Sequence, residues 1–318
     1  MTGMAPGSFE QGLLSSKLTV ELEEALGLLE EFQLLANQQS ITAIQNLPPN
    51  LLEQCIALCD EAQGIQAEPI RTVHHFACTG GTLISKCIAS MPNTQLLSEV
   101  DPLSCLGDTE SNPQFAPSDI AKLMRQSTHG ASPELIGELF LNNLQIIHLK
   151  SVNAGLRLIL RDHAHSHYCA GDDVPNRATL RNLVASMFAT LSVVTVRDPI
   201  DSYLSLQNNG WIHFTPASFD EYCRRYIAFL NDYEGVEIIR YEDFVAQPEK
   251  VMHDLCEILK LPFNPSFQDV FSVHKITGDS GRSSGIIEAR TRRPLDKQTS
   301  DEFEASTMYK KLCSVLGY

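Results

Sequence analysis

Two junctions between a strand pattern and a helix pattern constrain the fold of this chain more than any other feature. In residues 73–85, and again in residues 192–205, a β-branched apolar run stops and a helical pattern begins. The first junction carries Thr79-Gly80-Gly81-Thr82 and the second carries Arg197-Asp198-Pro199. A helix N-terminus offers unpaired N–H groups and partial positive charge to phosphate or sulfate, and glycine lets the backbone approach such an anion closely. The two junctions therefore predict a ligand with two separated anionic groups.

From Ile70 onwards the chain alternates strand and helix patterns. Strands are predicted near residues 70–77, 94–98, 155–161, 191–197 and 236–240, and helices near residues 82–90, 118–127, 132–149, 178–188, 199–209, 218–232 and 248–260. This alternation predicts an α/β fold, an open and mostly parallel sheet flanked by helices. Ligands of such sheets bind outside the carboxyl ends of the strands, where both junctions fall. Residues 101–117 and 274–300 lack periodicity and are predicted to be loops.

The first 68 residues carry no chemical motif. Leu18 to Gln38 has the apolar spacing of an amphipathic helix, Pro48-Pro49 interrupts it, and Leu51 to Ala62 predicts a second helix. We therefore divide the chain into an N-terminal helical segment, residues 1–68, and an α/β domain, residues 69–318. The segment is expected to be an appendage that packs on the domain or contributes to a homodimer interface.

Composition narrows the classes of function. The formal net charge of −15 argues against nucleic acid or an anionic membrane as a partner. No apolar run is long enough for a transmembrane helix, and the N-terminal residues carry Glu10 without a basic region, so a secretory signal is not expected. The nine cysteines are scattered without a CxxC pair, as in a reduced protein. These features predict a cytoplasmic protein.

The ordered motifs resemble those of the sulfotransferases that use 3′-phosphoadenosine 5′-phosphosulfate (PAPS). The matching pieces are the glycine loop, Ser98-Glu99-Val100-Asp101-Pro102, Arg197 followed by Ser205, the run from Ile238 to Phe244 with Pro248-Glu249, and Gly281-Arg282-Ser283-Ser284-Gly285. The glycine loop alone is weak evidence, whereas the ordered set is much more specific. The resemblance implies a P-loop-like sulfotransferase fold that transfers a sulfuryl group from PAPS to an unidentified acceptor hydroxyl or amine, without a metal.

The resemblance also implies which residues bind PAPS. The 5′-phosphosulfate would lie in a loop made of Cys78, Thr79, Gly80, Gly81, Thr82 and Leu83. Arg197 and Ser205 would bind the 3′-phosphate, with help from Arg282, Ser283 and Ser284. An alternative for Arg197 is an ion pair with Asp198 or Asp201. Arg290, Arg292 and Arg293 are further candidates for a positive pocket, and the predicted loops would shape the acceptor pocket and close over the nucleotide.

Three histidines, His163, His165 and His167, follow the third predicted strand at alternate positions. Alternation would place them on one face of an extended segment, where they could bind zinc, although no cysteine or carboxylate cluster of matching spacing joins them. The resemblance instead implies a general base just beyond a central strand, and His163 matches by position. His165 and His167 stay alternatives. Glu99 and Asp101 are candidates for a second base or a substrate anchor, or they cap a loop.

The chain departs from the family pattern at Cys78, where many sulfotransferases have Lys or Arg. A replacement cation would stabilise charge on the leaving phosphate, and Lys86 is the first candidate and Arg161 the second. Without such a cation the chain would be a non-catalytic nucleotide-binding module. A phosphotransferase of P-loop type is disfavoured, because no Lys-Ser/Thr pair follows Gly81. The run Tyr241 to Phe244 is predicted to end a strand and to cap the next helix.

Overall fold

A five-stranded sheet organises the part of the chain that the computed structural model describes, residues 68–106, 116–278, 285–289 and 291–318. The strands are β1 (Ile70–His75), β2 (Thr94–Val100), β3 (Arg157–Asp162), β4 (Ala170–Gly171), β5 (Thr190–Val196), β6 (His213–Phe214) and β7 (Glu237–Arg240). The main sheet has the order β2-β3-β1-β5-β7, and every neighbouring pair in it is parallel. The predicted parallel α/β fold is thus confirmed.

The helices that accompany these strands include every helix predicted between residues 82 and 260. They are α1 (Gly81–Ala89), α2 (Ile120–Arg125), α3 (Pro133–Asn153), α4 (Ala164–Tyr168), α5 (Leu180–Ala185), α6 (Pro199–Asn208), α7 (Phe219–Asp232), α8 (Tyr241–Ala246), α9 (Pro248–Ile258), α10 (Phe267–Val270), α11 (Lys297–Ala305) and α12 (Thr307–Leu316). Within the described ranges, no helix has both the length and the apolar composition that a membrane span requires. The helices predicted before residue 68 lie outside the described residues.

Both faces of the main sheet are covered, as the near-continuous apolar strands require. Val73, Ile159, Val193 and Ile239 lie on one face and pack against residues of α1 and α9. Residues of opposite parity face away from them, because successive side chains of a strand point to opposite sides. On that second face, Ile70, Leu158 and Leu160 contact α3 and α5, while Val194 and Val196 contact α6 and α7. The strand patterns therefore belong to a sheet buried between two helical layers.

The centre of the sheet defines where a ligand can bind. All six residues of β1 are buried, and β1 lies between β3 and β5. The chain runs from β1 to β2 and β3 on one side and later to β5 and β7 on the other, so the strand order reverses beside β1. A crevice opens at the carboxyl ends of strands where the order reverses in this way. The glycine loop, His163 and Arg197 follow β1, β3 and β5 at this edge.

Two sequence-based predictions of local structure were wrong. The three histidines do not lie on an extended segment, because Ala164–Tyr168 forms the short helix α4 and His163 is its N-cap residue. Strand β7 does end directly before Tyr241, as predicted, but Tyr241 to Phe244 forms most of α8 and does not cap a helix, while α9 begins at Pro248 after Gln247. Both helices are very short, so their few residues carry no helical period that a pattern search can detect.

Some elements were missed altogether. The strands β4 and β6 have two residues each and pair only with one another, in parallel. Two C-terminal helices were not predicted. Helix α11 begins at Lys297, inside the predicted loop 274–300, and α12 follows it. The helix α11 buries only Phe303. A single apolar anchor leaves a charged sequence without a visible hydrophobic stripe, which explains why the helix was not predicted.

The glycine loop rests on an aromatic cluster that packs below it. Phe76, the residue that follows β1, is fully buried and stacks on Tyr226 with ring centroids 4.4 Å apart. Its ring also lies within 5.1 Å of the Tyr222 ring and 5.5 Å of the Phe229 ring, measured between centroids. Aromatic groups of this kind contribute both buried area and favourable ring geometry. Phe76 therefore fixes the start of the loop against α7.

We predict that Phe76→Ala lowers the free energy of unfolding by about 3–5 kcal/mol, because it removes a fully buried ring from a close-packed cluster. Urea unfolding followed by circular dichroism measures the change. The matched control is Val273→Ala, since Val273 is 75% exposed and its truncation should change stability by less than about 0.5 kcal/mol. Equal stabilities of Phe76→Ala and the wild type would contradict this role of the cluster.

Candidate functional site

A cavity of about 360 Å³ lies at the carboxyl edge of the sheet. It is lined by His75, Ala77, Cys78, Gly80, Gly81, Thr82, Leu83, Glu99, Leu106, Arg161, His163, His165, Arg197, Ser205, Asn209, Trp211, His213, Tyr241, Gly278 and Arg293. The structure thus brings most of the predicted glycine-loop residues together with Arg197, Ser205 and His163. The volume of the cavity is that of a small-molecule site.

The glycine loop between β1 and α1 has a conformation that exposes backbone N–H groups. Cys78 and Gly80 both have positive φ, at 63° and 88°. Thr79 does not line the cavity; its buried hydroxyl donates to the carbonyl oxygens of Phe76, at 2.8 Å, and of Thr195, at 3.3 Å. Gly80 is the N-cap residue of α1 and has no side chain that could cap the helix, and the first turn of α1 contains no acidic residue. The N-terminus of α1 is therefore open to an anion.

Both glycines of the loop are required by close neighbours. A Cβ atom at Gly80 would overlap the Tyr241 ring, and φ there is left-handed as well. A Cβ atom at Gly81 would overlap the His75 ring, although Gly81 itself has no unusual φ. Tyr241 and His75 thus lie directly against the loop from two sides. The sequence pattern suggested anion contact as the reason for the glycines, and the structure adds steric reasons.

Cys78 occupies the position at which a cation was expected. Burial raises the pKa of its thiol, although hydrogen bonds with Ser205 and Asn209 and the charges of Arg197 and Arg293 oppose the shift. The side chain is consequently neutral at physiological pH. A neutral thiol adds no negative charge to an anion site, so Cys78 fits the loop as a small neutral side chain.

Arg197 extends from the end of β5 across the glycine loop. Its guanidinium lies over the Tyr241 ring, 4.8 Å from the centroid, and its Nη1 is 3.4 Å from the Cys78 carbonyl oxygen. The buried Nε atom has no hydrogen-bond partner among the described residues. A buried donor without a partner costs free energy that a bound anion would recover. The alternative, an ion pair with Asp198 or Asp201, is not formed.

The second junction does not offer a free helix N-terminus, contrary to expectation. The Asp198 carboxylate accepts hydrogen bonds from the backbone N–H groups of Ile200, at 2.9 Å, and Asp201, at 3.0 Å. Arg292 binds both acidic side chains, at 2.6 Å from Asp198 and 2.9 Å from Asp201. The start of α6 is therefore already satisfied by the protein. An anion beside α6 depends on the side chains of Arg197 and Ser205 rather than on backbone N–H groups.

Of the two candidate cations, Arg161 lines the cavity and Lys86 does not. Arg161 is buried at the end of β3, and its Nη2 donates to the Thr82 hydroxyl at 2.9 Å. Its Nη1 lies 2.6 Å from Glu99 Oε1. Lys86 is a buried residue in the last turn of α1. Arg161, the second candidate, is therefore better placed in the cavity than Lys86, the first.

Glu99 joins the site through a break in β2. The pairing of β2 with β3 shifts register between Leu97 and Val100, and Glu99 has a φ of 62°. This irregularity brings one carboxylate oxygen to Arg161 and the other to within 3.3 Å of His163 Nε2. Asp101, the other predicted carboxylate, is instead bound by Arg177 at 2.6 Å. Of the two, Glu99 belongs to the cavity and Asp101 stabilises the neighbouring loop.

The three histidines differ in their surroundings. His163 and His165 line the cavity, with ring centroids 6.0 Å apart, and His165 also contacts the rings of Trp211 and His213. Burial, together with the charges of His163 and His213, lowers the pKa of His165 to about 3. His167 points to the Pro175 carbonyl oxygen, 3.1 Å away, and burial lowers its pKa as well. His165, with a pKa of about 3, is a weak base at pH 7, and His167 does not line the cavity. His163 lines the cavity with its Nε2 3.3 Å from the Glu99 carboxylate, so it is the better placed of the three.

The predicted zinc alternative has no geometric support in the described part of the chain. The only grouping of three metal-type ligands found there is His253, Asp254 and Glu257, and all three side chains are exposed. None of them lines the cavity. His163, His165 and His167 do not form such a group.

Other predictions fall outside the described residues, namely the roles of Arg282, Ser283, Ser284 and Arg290. The structure adds cavity residues that the sequence did not single out: His75, Asn209, Trp211, His213 and Tyr241. Arg293, predicted only as one of several basic residues, lines the cavity and donates to the Leu204 carbonyl at 2.9 Å. His75 and Tyr241 stand within predicted motifs, so their position was a usable signal, whereas Asn209 and Trp211 follow α6 in a segment without one.

Comparison with known proteins agrees with this geometry. Residues 76–265 match the Sulfotransferase family. Because the match extends over more than half of the chain, the protein belongs to this family. No curated protein sequence matches it significantly.

Several of the solved structures that are similar to this chain are sulfotransferases. The sulfotransferase domain of the curacin biosynthetic pathway is 17% identical with a TM-score of 0.47, over 80% of this chain and 99% of that domain. A mouse sulfotransferase complexed with PAP is 13% identical with a TM-score of 0.41, over 80% of this chain and 92% of that one. These similarities are low, and the family match rather than these structures carries the assignment.

Proposed function

We propose that this protein transfers a sulfuryl group from PAPS to an acceptor hydroxyl or amine. Membership of the family supports a transfer of this kind. One observation supports PAPS as the donor. The uncapped N-terminus of α1 and the buried, unpartnered Nε of Arg197 border the same cavity. Two separate anion-binding features in one cavity fit a nucleotide with a 5′-phosphosulfate and a 3′-phosphate.

In this proposal the glycine loop holds the phosphosulfate and Arg197 holds the 3′-phosphate. The backbone N–H groups at the start of α1 bind the 5′ end, and the hydroxyl of Thr82 lies beside them. Ser205, Arg197 and Arg293 surround the 3′ end. The neutral Cys78 thiol between the two subsites does not repel either anion. The strongly acidic chain thus binds an anionic nucleotide through locally placed cations.

His163 is the proposed general base. Its Nε2 faces the Glu99 carboxylate, which favours the tautomer that carries the proton on Nε2 and leaves the lone pair of Nδ1 free. Nδ1 then accepts the proton of the acceptor group while a new oxygen–sulfur or nitrogen–sulfur bond forms. The bond between sulfur and the phosphate oxygen breaks, and its electron pair leaves with 3′-phosphoadenosine 5′-phosphate. Arg161 and the loop N–H groups stabilise the charge on that leaving group.

A thermal-shift comparison of PAPS with ATP and Mg²⁺ separates the proposed function from its two alternatives. A ligand that binds the native state raises the apparent melting temperature. Stabilisation by PAPS together with sulfuryl transfer to some member of an acceptor panel supports the proposal. Stabilisation without transfer to any acceptor favours a nucleotide-binding module, and a response to ATP with Mg²⁺ alone favours a phosphotransferase.

We predict that Arg197→Ala weakens binding of 3′-phosphoadenosine 5′-phosphate by about 2–4 kcal/mol, since a charged hydrogen-bond partner of the 3′-phosphate is lost. Isothermal titration calorimetry measures the affinity, and a melting curve shows that the variant is folded. The control is Arg181→Ala, which removes an arginine of α5 that does not line the cavity. An unchanged affinity for Arg197→Ala would eliminate the 3′-phosphate site.

His163→Ala should lower turnover about a hundredfold or more, with nucleotide affinity intact, because the general base is removed and the phosphate ligands are not. The initial rate of sulfuryl transfer to a working acceptor gives turnover. His253→Ala, at an exposed histidine of α9, is the control and should keep the wild-type rate. Near-normal turnover of the His163 variant would move the role to Glu99 or His165.

Replacing each candidate cation tests which one stabilises the leaving group. Arg161→Met should reduce turnover about tenfold to a thousandfold, the range for loss of one electrostatic stabiliser. Lys86→Met, at a residue that does not line the cavity, should have a much smaller effect. Both variants are compared below their melting temperatures, because both residues are buried. The opposite ranking would restore Lys86 as the replacement cation.

A further inference from the structure

Two adjacent histidines, His74 and His75, end the central strand β1 on opposite faces of the sheet. His74 belongs to a closed network: its Nδ1 is 2.7 Å from Asp162 Oδ2 and its Nε2 is 2.8 Å from the Thr72 hydroxyl. His75 lies on the other face, toward α1, where its ring is buried under Gly81. Its Nε2 is 3.1 Å from Arg161 Nη2. The two histidines therefore have different hydrogen-bond partners, although they are neighbours in sequence.

The contact with Arg161 fixes the protonation of His75. A guanidinium has only donors, so Nε2 of His75 must accept, and the single proton of the neutral ring is on Nδ1. Burial and the neighbouring charge of Arg161 lower the pKa of His75 well below its ordinary value, which agrees with a neutral ring. Nδ1 has no hydrogen-bond partner among the described residues. Stability alone does not favour a buried N–H without a partner, so this position calls for a functional reason.

Arg161 is held by partners on both terminal nitrogens of its guanidinium. Glu99, Ser98 and the Thr277 carbonyl oxygen bind Nη1, at 2.6, 2.9 and 3.1 Å. Nη2 lies toward the glycine loop, 2.9 Å from the Thr82 hydroxyl and 3.1 Å from His75 Nε2. A side chain that stabilises a transition state has to be held within a fraction of an ångström. His75 is a rigid, uncharged acceptor on the loop side of that guanidinium, beside the Thr82 hydroxyl.

We propose that His75 is a positioning residue that holds Arg161 beneath the glycine loop, and that Gly81 is glycine in order to admit the His75 ring. This inference rests on the proposed role of Arg161 in sulfuryl transfer. It links three features of this chain: the missing cation at Cys78, the second glycine of the loop, and a histidine at the end of β1. The cation comes from β3 instead of the loop, and the histidine and the glycine accommodate it.

Variants of His75 separate positioning from simple packing. His75→Phe keeps a flat ring but removes the acceptor, whereas the amide oxygen of His75→Gln can reach the place of Nε2. We expect turnover of His75→Phe to fall about tenfold or more with little change in the KM for PAPS, since the loss affects the transition state. His75→Gln should recover most of the wild-type turnover. A role in packing alone predicts the reverse ranking.

A double-mutant cycle with Arg161→Met supplies the decisive measurement. If His75 acts through Arg161, adding His75→Phe to Arg161→Met causes no further loss of turnover. Fully additive losses, or a His75→Phe turnover within about twofold of the wild type, would overturn the proposal.

A melting experiment tests the same geometry without PAPS and without an active enzyme. Gly81→Ala should lower the melting temperature in the wild-type background, because its Cβ meets the His75 ring. In a His75→Ala background the ring is gone, and Gly81→Ala should then be tolerated. Equal destabilisation in both backgrounds would contradict the link between His75 and Gly81. If the wild type transfers no sulfuryl group at all, the proposed function fails while this outcome still tests the contact.

Discussion

The geometry of the site depends on the ion pair and the hydrogen bonds of one buried group, the guanidinium of Arg161. It connects β3 with Glu99 of β2, with His75 of β1 and with the first turn of α1 through Thr82. A buried charge has to keep its hydrogen bonds, because an uncompensated charge in the interior is costly. The ends of three neighbouring strands and the start of α1 are therefore held in one arrangement.

The distribution of ion pairs explains how an acidic protein can offer an anion site. Glu99 is neutralised by Arg161, and Asp198 and Asp201 share Arg292. Within the described residues no ion pair involves Arg197, which stacks on Tyr241 instead. Glu99, Asp198 and Asp201 thus each have a cationic partner within the protein, and in the proposed function the charge of Arg197 serves the ligand. Net charge describes solubility and long-range attraction, whereas binding depends on this local pairing.

The sequence was sufficient for the sheet and for most residues of the cavity. Apolar β-branched strands that alternate with helices admit few arrangements other than a buried parallel sheet, and its carboxyl edge collects the residues that follow each strand. Gly80, Arg197 and His163 were found for that reason. Short elements were not predictable, because the helix that follows His163 has five residues and no hydrophobic period. The capping of α6 by Asp198 was missed because an aspartate before proline looks the same whether or not it faces a ligand.

The choice between Lys86 and Arg161 shows where pattern and geometry separate. Lys86 is close to the loop in sequence, and Arg161 is on β3, the strand beside β1. The tilt of helical side chains toward the helix N-terminus favoured Lys86. Strand parity would have favoured Arg161, since Ile159 and Arg161 share a face and Ile159 packs toward α1. Parity is the stronger argument, because a strand fixes side-chain direction to one of two faces, whereas a helix distributes it over a full circle. In the proposed mechanism the cation comes from β3, and this accounts for a neutral Cys78 and a crowded Gly81 in the same loop.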